Sequence, residues 1–201
     1  MFGRVQRQAK AGAGAKVVKL HSIASVMRGR GFAGSFDVGG VKYSFTYSPA
    51  SAAVAGDKLQ LTGTLGVIAK RRNAGDASRS VPNVRATMLA TQGAVGTAPP
   101  RQNVPADVPP PRPDFPIVES TGSLSFCGVL YLKLAPLDGR SLGVPADMKQ
   151  VQLNVRLAPV SDVERGLQGA FSTIADALYG NAINQSLAEA SVTELNKFLA
   201  G

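Results

Sequence analysis

The sequence predicts a mainly β protein, an antiparallel β-sandwich or open barrel followed by a C-terminal α-helical hairpin. Apolar residues alternate with polar ones in six or seven segments between residues 32 and 157, and this period of two is typical of half-buried antiparallel strands. Glycine and proline separate these segments. After Pro159 the apolar spacing changes to three and four residues, which is typical of amphipathic helices.

The clearest strand pair lies on either side of Gly39-Gly40. Apolar and polar residues alternate through 32–38 and again through 41–47, and two glycines between such segments are the turn signal of a β-hairpin. Gly63 and Gly66 lie inside a later strand segment, where a glycine indicates a bulge or a bend. The later segments with the same alternation are 58–67, 84–90, 123–134 and 151–157.

The chain divides into three predicted parts. Residues 1–16 form a basic flexible arm, because their alternating alanine and glycine bury little apolar surface. Residues 17–160 form the β-sandwich domain, in which 17–27 fit a helix and a strand about equally well. Residues 99–116 hold eight of the thirteen prolines, which predicts an extended crossover and not a central strand. Residues 161–201 form the helical hairpin.

Two amphipathic helices are expected after Pro159. Ser161 followed by Glu164 is a capping box that predicts the start of the first helix, and Gly180 predicts its end. The second helix is expected from about residue 184 to about residue 199. The first helix has one apolar face that either covers the sheet or contacts a partner, formed by Leu167, Phe171, Ile174 and Leu178.

Positive charge is concentrated in the N-terminal half. Asp37 is the first acidic residue, and seven basic residues precede it. Residues 1–100 carry a net charge of +11, whereas residues 101–201 carry −2. A chain polarised in this way attracts anionic partners on one side. The candidate contacts with an anionic partner are Arg4, Arg7, Lys10, Lys16, Lys19, Arg28, Arg30, Lys70, Arg71 and Arg72.

No catalytic or metal-binding pattern stands out in the sequence. The chain has one histidine, His21, and one cysteine, Cys127, whereas a structural zinc site needs about four ligands. A solvated position is expected for His21 and a packed strand position for Cys127. Many of the few carboxylates lie next to turn residues. The sequence therefore predicts no enzyme activity and no catalytic, metal or cofactor-binding residue.

These observations predict a non-enzymatic interaction or structural protein. It would be a subunit or accessory of a larger assembly, and its basic arm would contact an acidic surface of another protein or of a second copy. The alternative is a nucleic-acid-binding module that uses the arm and the 70–72 loop. Single-strand binders interleave aromatic and basic residues, but Phe2 is the one aromatic residue in 1–31, which favours the protein partner.

A membrane surface is a third possible anionic partner, because the charge of the basic arm is also compatible with lipid headgroups. No apolar segment approaches the ~20 residues needed to span a bilayer, so no transmembrane segment is expected. A cytoplasmic location is expected, and organelle targeting and export stay open.

Overall fold

The computed structural model describes residues 18–70, 75–92, 128–180 and 182–201. Several predicted features lie outside these residues, namely the arm at 1–16, Arg71, Arg72, the crossover at 99–116 and Cys127. The strands are β1 (Val18–Lys19), β2 (Ser22–Arg28), β3 (Gly31–Val38), β4 (Val41–Ala55), β5 (Lys58–Lys70), β6 (Ala77–Gln92), β7 (Val129–Leu134), β8 (Leu137–Asp138), β9 (Ala146–Met148) and β10 (Gln152–Arg156). The helices are a short 3-10 helix (Gly139–Leu142), α1 (Asp162–Tyr179) and α2 (Gln185–Ala200).

Seven strands close into a barrel in the order β10-β2-β3-β4-β5-β6-β7. Its neighbouring strands are antiparallel except for β2 and β10, which run parallel. An odd number of strands cannot alternate in direction around a closed ring, so at least one parallel pair is unavoidable. The mainly β prediction is confirmed. Where the sequence predicts an antiparallel sandwich or open barrel, the structure has a closed barrel with one parallel pair.

A second, smaller sheet has the order β1-β9-β8. Its β1 pairs in parallel with β9, so it also departs from the antiparallel expectation. The segment that fitted a helix and a strand equally well contributes both β1 and β2. The structure therefore assigns its described part to strands.

Glycines shape the barrel at the predicted positions. Gly39 and Gly40 have φ of 58° and 77°, and their positive φ values suit the tight turn between β3 and β4. The β5–β6 register shifts between Gly63 and Leu65. A Cβ on Gly63 would lie 2.2 Å from the carbonyl oxygen of Ser48, so only glycine allows this close approach. The predicted irregularity at Gly63 is therefore confirmed.

The helical hairpin shares one apolar core with the barrel. The four residues of the predicted α1 face are at most 2% exposed. The ring of Phe171 lies 6.0 Å from the ring of Phe32 on β3, centroid to centroid. In this structure the chain's own core therefore covers that face, which consists of Leu167, Phe171, Ile174 and Leu178.

Helix α2 packs against the part of β4 that extends beyond β3. The β3–β4 ladder reaches only as far as Tyr47. Farther along β4, Ala52 N donates to Asn196 Oδ1 at 2.7 Å, and Asn196 Nδ2 donates to Ala52 O at 3.0 Å. One α2 side chain thus takes the place of a strand partner for this residue and satisfies both its backbone groups.

Both helices begin with a side-chain cap. Ser161 Oγ accepts from Glu164 N at 3.3 Å, and Asn184 Oδ1 accepts from Leu187 N at 3.0 Å. Helix α1 ends at Tyr179, immediately before Gly180. The predicted start and end of the first helix are therefore confirmed.

Candidate functional site

The predicted basic contact residues that the structure describes lie at two ends of the barrel. They are Lys19, Arg28, Arg30 and Lys70, and all four are exposed. Arg28 and Arg30 flank the turn between β2 and β3, whereas Lys70 ends β5 at the opposite end. Lys19 precedes β2, so it lies near the same end as Lys70. The structure therefore does not gather these four described residues into one patch.

Lys42 is a basic surface residue that sequence reasoning missed. It lies directly opposite Lys70 in the β4–β5 ladder, and both side chains are exposed. Like charges directly opposite one another on a sheet repel, so this pair raises the local positive potential. The alternation of polar and apolar residues placed Lys42 on the solvent face, but only the register of two strands brings it beside Lys70.

A cleft opens in the barrel wall between β2 and β3. The ladder between these strands joins 25–28 to 31–34 and stops at the pair Ser25–Gly34. Beyond that point β2 remains paired with β10, and β3 remains paired with β4. Among the described residues, no ladder pair therefore joins 22–24 to 35–37, which face each other beyond that point. We call this opening the seam cleft.

The seam cleft has a volume of about 350 Å³. Polar side chains from four strands line it, while Leu20 and Val129 add apolar surface. The register places Tyr131, Asn154 and Ala24 side by side across β7, β10 and β2. The polar lining residues are Ser22, Ser35, Asp37, Tyr131, Asn154 and Arg156.

Arg156 gives the seam cleft a group that can bind an anion. Arg156 is half-buried, and within the described part of the chain its guanidinium donates no hydrogen bond and forms no ion pair. Asp37, the acidic residue that lines the cleft, has Lys42 directly opposite it on β4. Asn154 Oδ1 accepts from Gln152 Nε2 at 2.7 Å, which leaves the Asn154 amide NH₂ group available as a donor.

The chemistry of the seam cleft is that of binding. Burial raises the pKa of the Tyr131 hydroxyl, so it stays protonated at neutral pH. The other polar groups are hydroxyls, an amide, a guanidinium and one carboxylate. This set can hold a ligand that carries a carboxylate and backbone amides.

A second, wider concavity lies around the short 3-10 helix, with a volume of about 820 Å³. Its carboxylates already serve the local turns. Asp138 Oδ1 accepts from Arg140 N, and Asp147 Oδ1 accepts from Lys149 N, both at 3.0 Å. These bonds explain the loop conformation and indicate no ligand.

The part of the chain that the structure describes holds no group of three His, Cys, Asp or Glu residues arranged for a metal ion. His21 is exposed, as predicted for a solvated residue. Glu164 is the one buried carboxylate in this part, and its partners are backbone N–H groups of Gly29 and Val160. It joins structural elements and does not face the seam cleft.

Comparisons with known proteins bring no relative. No protein family matches the chain, and neither a curated protein nor a solved structure resembles it at a significant level. In the described ranges, neither helix is both long and apolar enough to cross a membrane.

Proposed function

We propose that this chain is a non-enzymatic interaction protein, a subunit or accessory of a larger assembly that binds an acidic surface of a protein partner. The supporting observation is exposed positive charge that forms no ion pair within the described residues. Lys19, Arg28, Arg30, Lys42 and Lys70 are all exposed, and none forms an ion pair within the described residues. Charge left unpaired at a surface raises the rate and specificity of binding to an oppositely charged partner.

The two ion pairs seen in the described residues lie elsewhere. Arg165 pairs with Asp162, and Lys197 pairs with Glu194, each within one helix. The basic arm, residues 1–16, enters the fold just before Lys19, at the end of the barrel that carries Lys42 and Lys70. We propose that the arm and these lysines contact the same partner.

Calorimetric titration with polyglutamate tests this proposal. The wild-type chain should bind, and the affinity should fall as salt rises because exposed charges are screened. Replacing the lysine pair by alanine should weaken binding, and replacing the arm residues should weaken it further. The lysine variant is Lys42→Ala with Lys70→Ala, and the arm variant changes Arg4, Arg7, Lys10, Lys16 and Lys19 to alanine.

The matched control is Arg165→Ala with Lys197→Ala. Both cations are exposed, but each already pairs with a carboxylate of its own helix, so polyglutamate affinity should not change. Light scattering adds an independent readout, since self-association gives a mass above 20.8 kDa. A strictly monomeric chain that does not bind polyglutamate would rule out the proposal.

The second candidate function is nucleic-acid binding through the arm and the 70–72 loop. The Lys42–Lys70 pair favours it, because it adds a second cation beside the start of that loop. A single-stranded oligonucleotide should then bind more tightly than polyglutamate, with a steep dependence on salt. The chain has no tryptophan and four tyrosines, so bound nucleic acid would dominate the 260/280 nm absorbance ratio of the purified protein.

A further inference from the structure

The seam cleft exposes strand edges inside a barrel that is otherwise closed. Residues 35–37 belong to β3, whose other edge pairs with β4 throughout this stretch. Residues 22–24 belong to β2, whose other edge pairs with β10. A β-strand edge that lacks a partner presents backbone N–H and C=O groups, and these groups bind extended peptides readily.

The opening begins where the two backbones come closest. A Cβ on Gly34 would lie 2.4 Å from the carbonyl oxygen of Ala24, so β2 and β3 touch there without room for a side chain. Immediately beyond, the parallel pairing with β10 holds 22–24 while the hairpin with β4 holds 35–37. Each edge is fixed by its other neighbour, so the barrel presents the cleft ready formed.

The dimensions suit a short peptide. Each facing edge is three residues long, which corresponds to roughly 10 Å of extended chain. The volume of about 350 Å³ lies within the range of ligand sites, but it is at the lower end of that range. A peptide of a few residues would fit, whereas a longer strand would extend beyond the cleft.

The charge in the cleft selects the peptide. The Arg156 guanidinium has no partner among the described residues, and the Asn154 amide next to it on the same strand face has free donors. A guanidinium binds a carboxylate with two parallel hydrogen bonds. Asp37 on the other side of the cleft lies opposite Lys42 in the β3–β4 ladder.

We infer that the seam cleft is a strand-addition site for an extended segment of a protein partner that carries an acidic side chain. The segment pairs its backbone with the exposed edge of β3 at 35–37, and its carboxylate binds Arg156. This inference rests on the proposed interaction function and adds the chemistry of the bound segment. It places the partner's contact beside the end of the barrel that carries Lys42 and Lys70.

An NMR titration of the ¹⁵N-labelled full chain tests the inference. The probe is an acetylated and amidated peptide of alternating threonine and valine with one central glutamate. It should shift the amide signals of 22–24 and 35–37 and saturate. A peptide with glutamine in place of glutamate should bind at least about tenfold more weakly, because the charge-assisted bond is lost. A backbone N-methylated glutamate peptide should not bind, because it cannot pair with a strand edge.

Variants of the protein test whether the charge of Arg156 contributes to peptide binding independently of the fold. Arg156→Gln should weaken binding of the glutamate peptide by at least about tenfold and leave the affinity for the glutamine peptide unchanged. Asn154→Asp is a second variant for the same face, since it keeps the acceptor for Gln152 but repels a carboxylate. Arg85→Gln is the matched control, because Arg85 is exposed on β6 and does not line the cleft.

Several results would overturn the inference. Absence of saturation at millimolar peptide, shifts confined to other residues, or equal binding to wild type and Arg156→Gln would each do so. If glutarate binds as tightly as the peptide, the cleft is a pocket for small anions and not a strand-addition site. If the wild-type chain is a dimer and the Arg156→Gln variant is a monomer, the segment in the cleft comes from a second copy of this chain. In each case Arg156→Gln should still bind polyglutamate through the exposed lysines, so failure of the cleft and failure of the proposed function are distinguishable.

Discussion

Glu164 joins the start of α1 to the turn between β2 and β3 through Gly29. Glu164 Oε1 accepts from Gly29 N at 2.6 Å, and Oε2 accepts from Val160 N at 2.6 Å. Burial raises the pKa of Glu164, but these two bonds, one from Ser161 N–H and the charge of Arg28 together bring it below the ordinary 4.5. The carboxylate is therefore ionised at neutral pH and holds together residues far apart in the sequence.

Replacing Glu164 with glutamine should destabilise the protein by about 2–3 kcal/mol, because the amide NH₂ would face one of the two N–H donors. The pKa is lowered on folding, so the carboxylate's contribution is complete above the ordinary value of 4.5. It is lost as the pH falls through the lower pKa of the folded state. Urea unfolding from about pH 7 down to about pH 3 should show a smaller loss of stability for Glu164→Gln than for wild type.

The matched control for this prediction is Glu189→Gln, a glutamate exposed on α2. Its free energy of unfolding should change by less than about 0.5 kcal/mol. A wild-type protein and a Glu164→Gln variant with the same pH dependence would show that the buried carboxylate does not stabilise the fold.

The contact between Phe171 and Phe32 predicts that the helical hairpin completes the core. Phe171 is 1% exposed, so Phe171→Ala should cost about 3–5 kcal/mol through lost burial and the cavity left behind. Val163 lies on the same helix with 38% exposure, and Val163→Ala should cost less than about 0.5 kcal/mol. Urea unfolding of both variants measures the difference, and similar costs would mean that the hairpin packs only loosely on the barrel.

Local features of this fold were predictable from the sequence. Gly39-Gly40 marks a turn through its own backbone conformation, and Ser161 caps the helix that follows it directly. Such signals act within a few residues, so no knowledge of distant strands is needed. The bulge at Gly63 was predictable for the same reason.

The candidate site was not predictable, because it depends on contacts between distant residues. The parallel pairing of β2 with β10 joins residues more than a hundred positions apart, as in the bond from Ser25 Oγ to Asn154 O. That pairing creates the seam cleft and places Arg156 beside it. The bond of Glu164 to Gly29 spans 135 positions in the same way. Composition and periodicity carry no signal for either.

Tyr47 and Tyr179 predict a loss of stability at alkaline pH. Tyr47 Oη donates to Val84 O at 3.0 Å, and Tyr179 Oη donates to Met88 O at 2.5 Å. Burial raises the pKa of both hydroxyls above the ordinary 10.0, and the charge of Asp57 adds to the effect at Tyr179. The unfolded chain therefore releases protons that the folded chain retains, so stability should fall as the pH rises above 10.0.

Unfolding measurements at alkaline pH check that stability falls as the pH rises. The variant Tyr47→Phe separates the loss of the hydrogen bond from the effect of hydroxyl ionisation. The variant should lose about 1–2 kcal/mol at neutral pH because Val84 O loses its buried donor. It should also lose less additional stability than wild type as the pH rises above 10.0. A variant with the wild-type alkaline dependence would contradict the prediction.

Gly34 is the point at which β2 and β3 part, and its lack of a side chain predicts a large effect of Gly34→Ala. The added Cβ would lie 2.4 Å from Ala24 O and 2.6 Å from Phe45 Cε1, so backbone or ring must move. The cost should be about 1–3 kcal/mol. Gly169 on α1 is exposed and has open space around it, so Gly169→Ala should stabilise by about 0.5–1 kcal/mol. Thermal unfolding compares the two, and a neutral Gly34→Ala would contradict the close approach at the end of the seam cleft.

The Lys42–Lys70 pair predicts that one substitution changes stability and binding in opposite directions. Lys70→Glu places opposite charges across the β4–β5 ladder, so the fold should gain about 0.2–1 kcal/mol. Polyglutamate affinity should fall, because the same surface then repels the probe. Lys133→Glu is the control, since Lys133 is exposed with uncharged Gln152 and Thr87 opposite it. Loss of stability in Lys70→Glu would show that the two lysines do not repel, and unchanged affinity would remove Lys70 from the proposed contact surface.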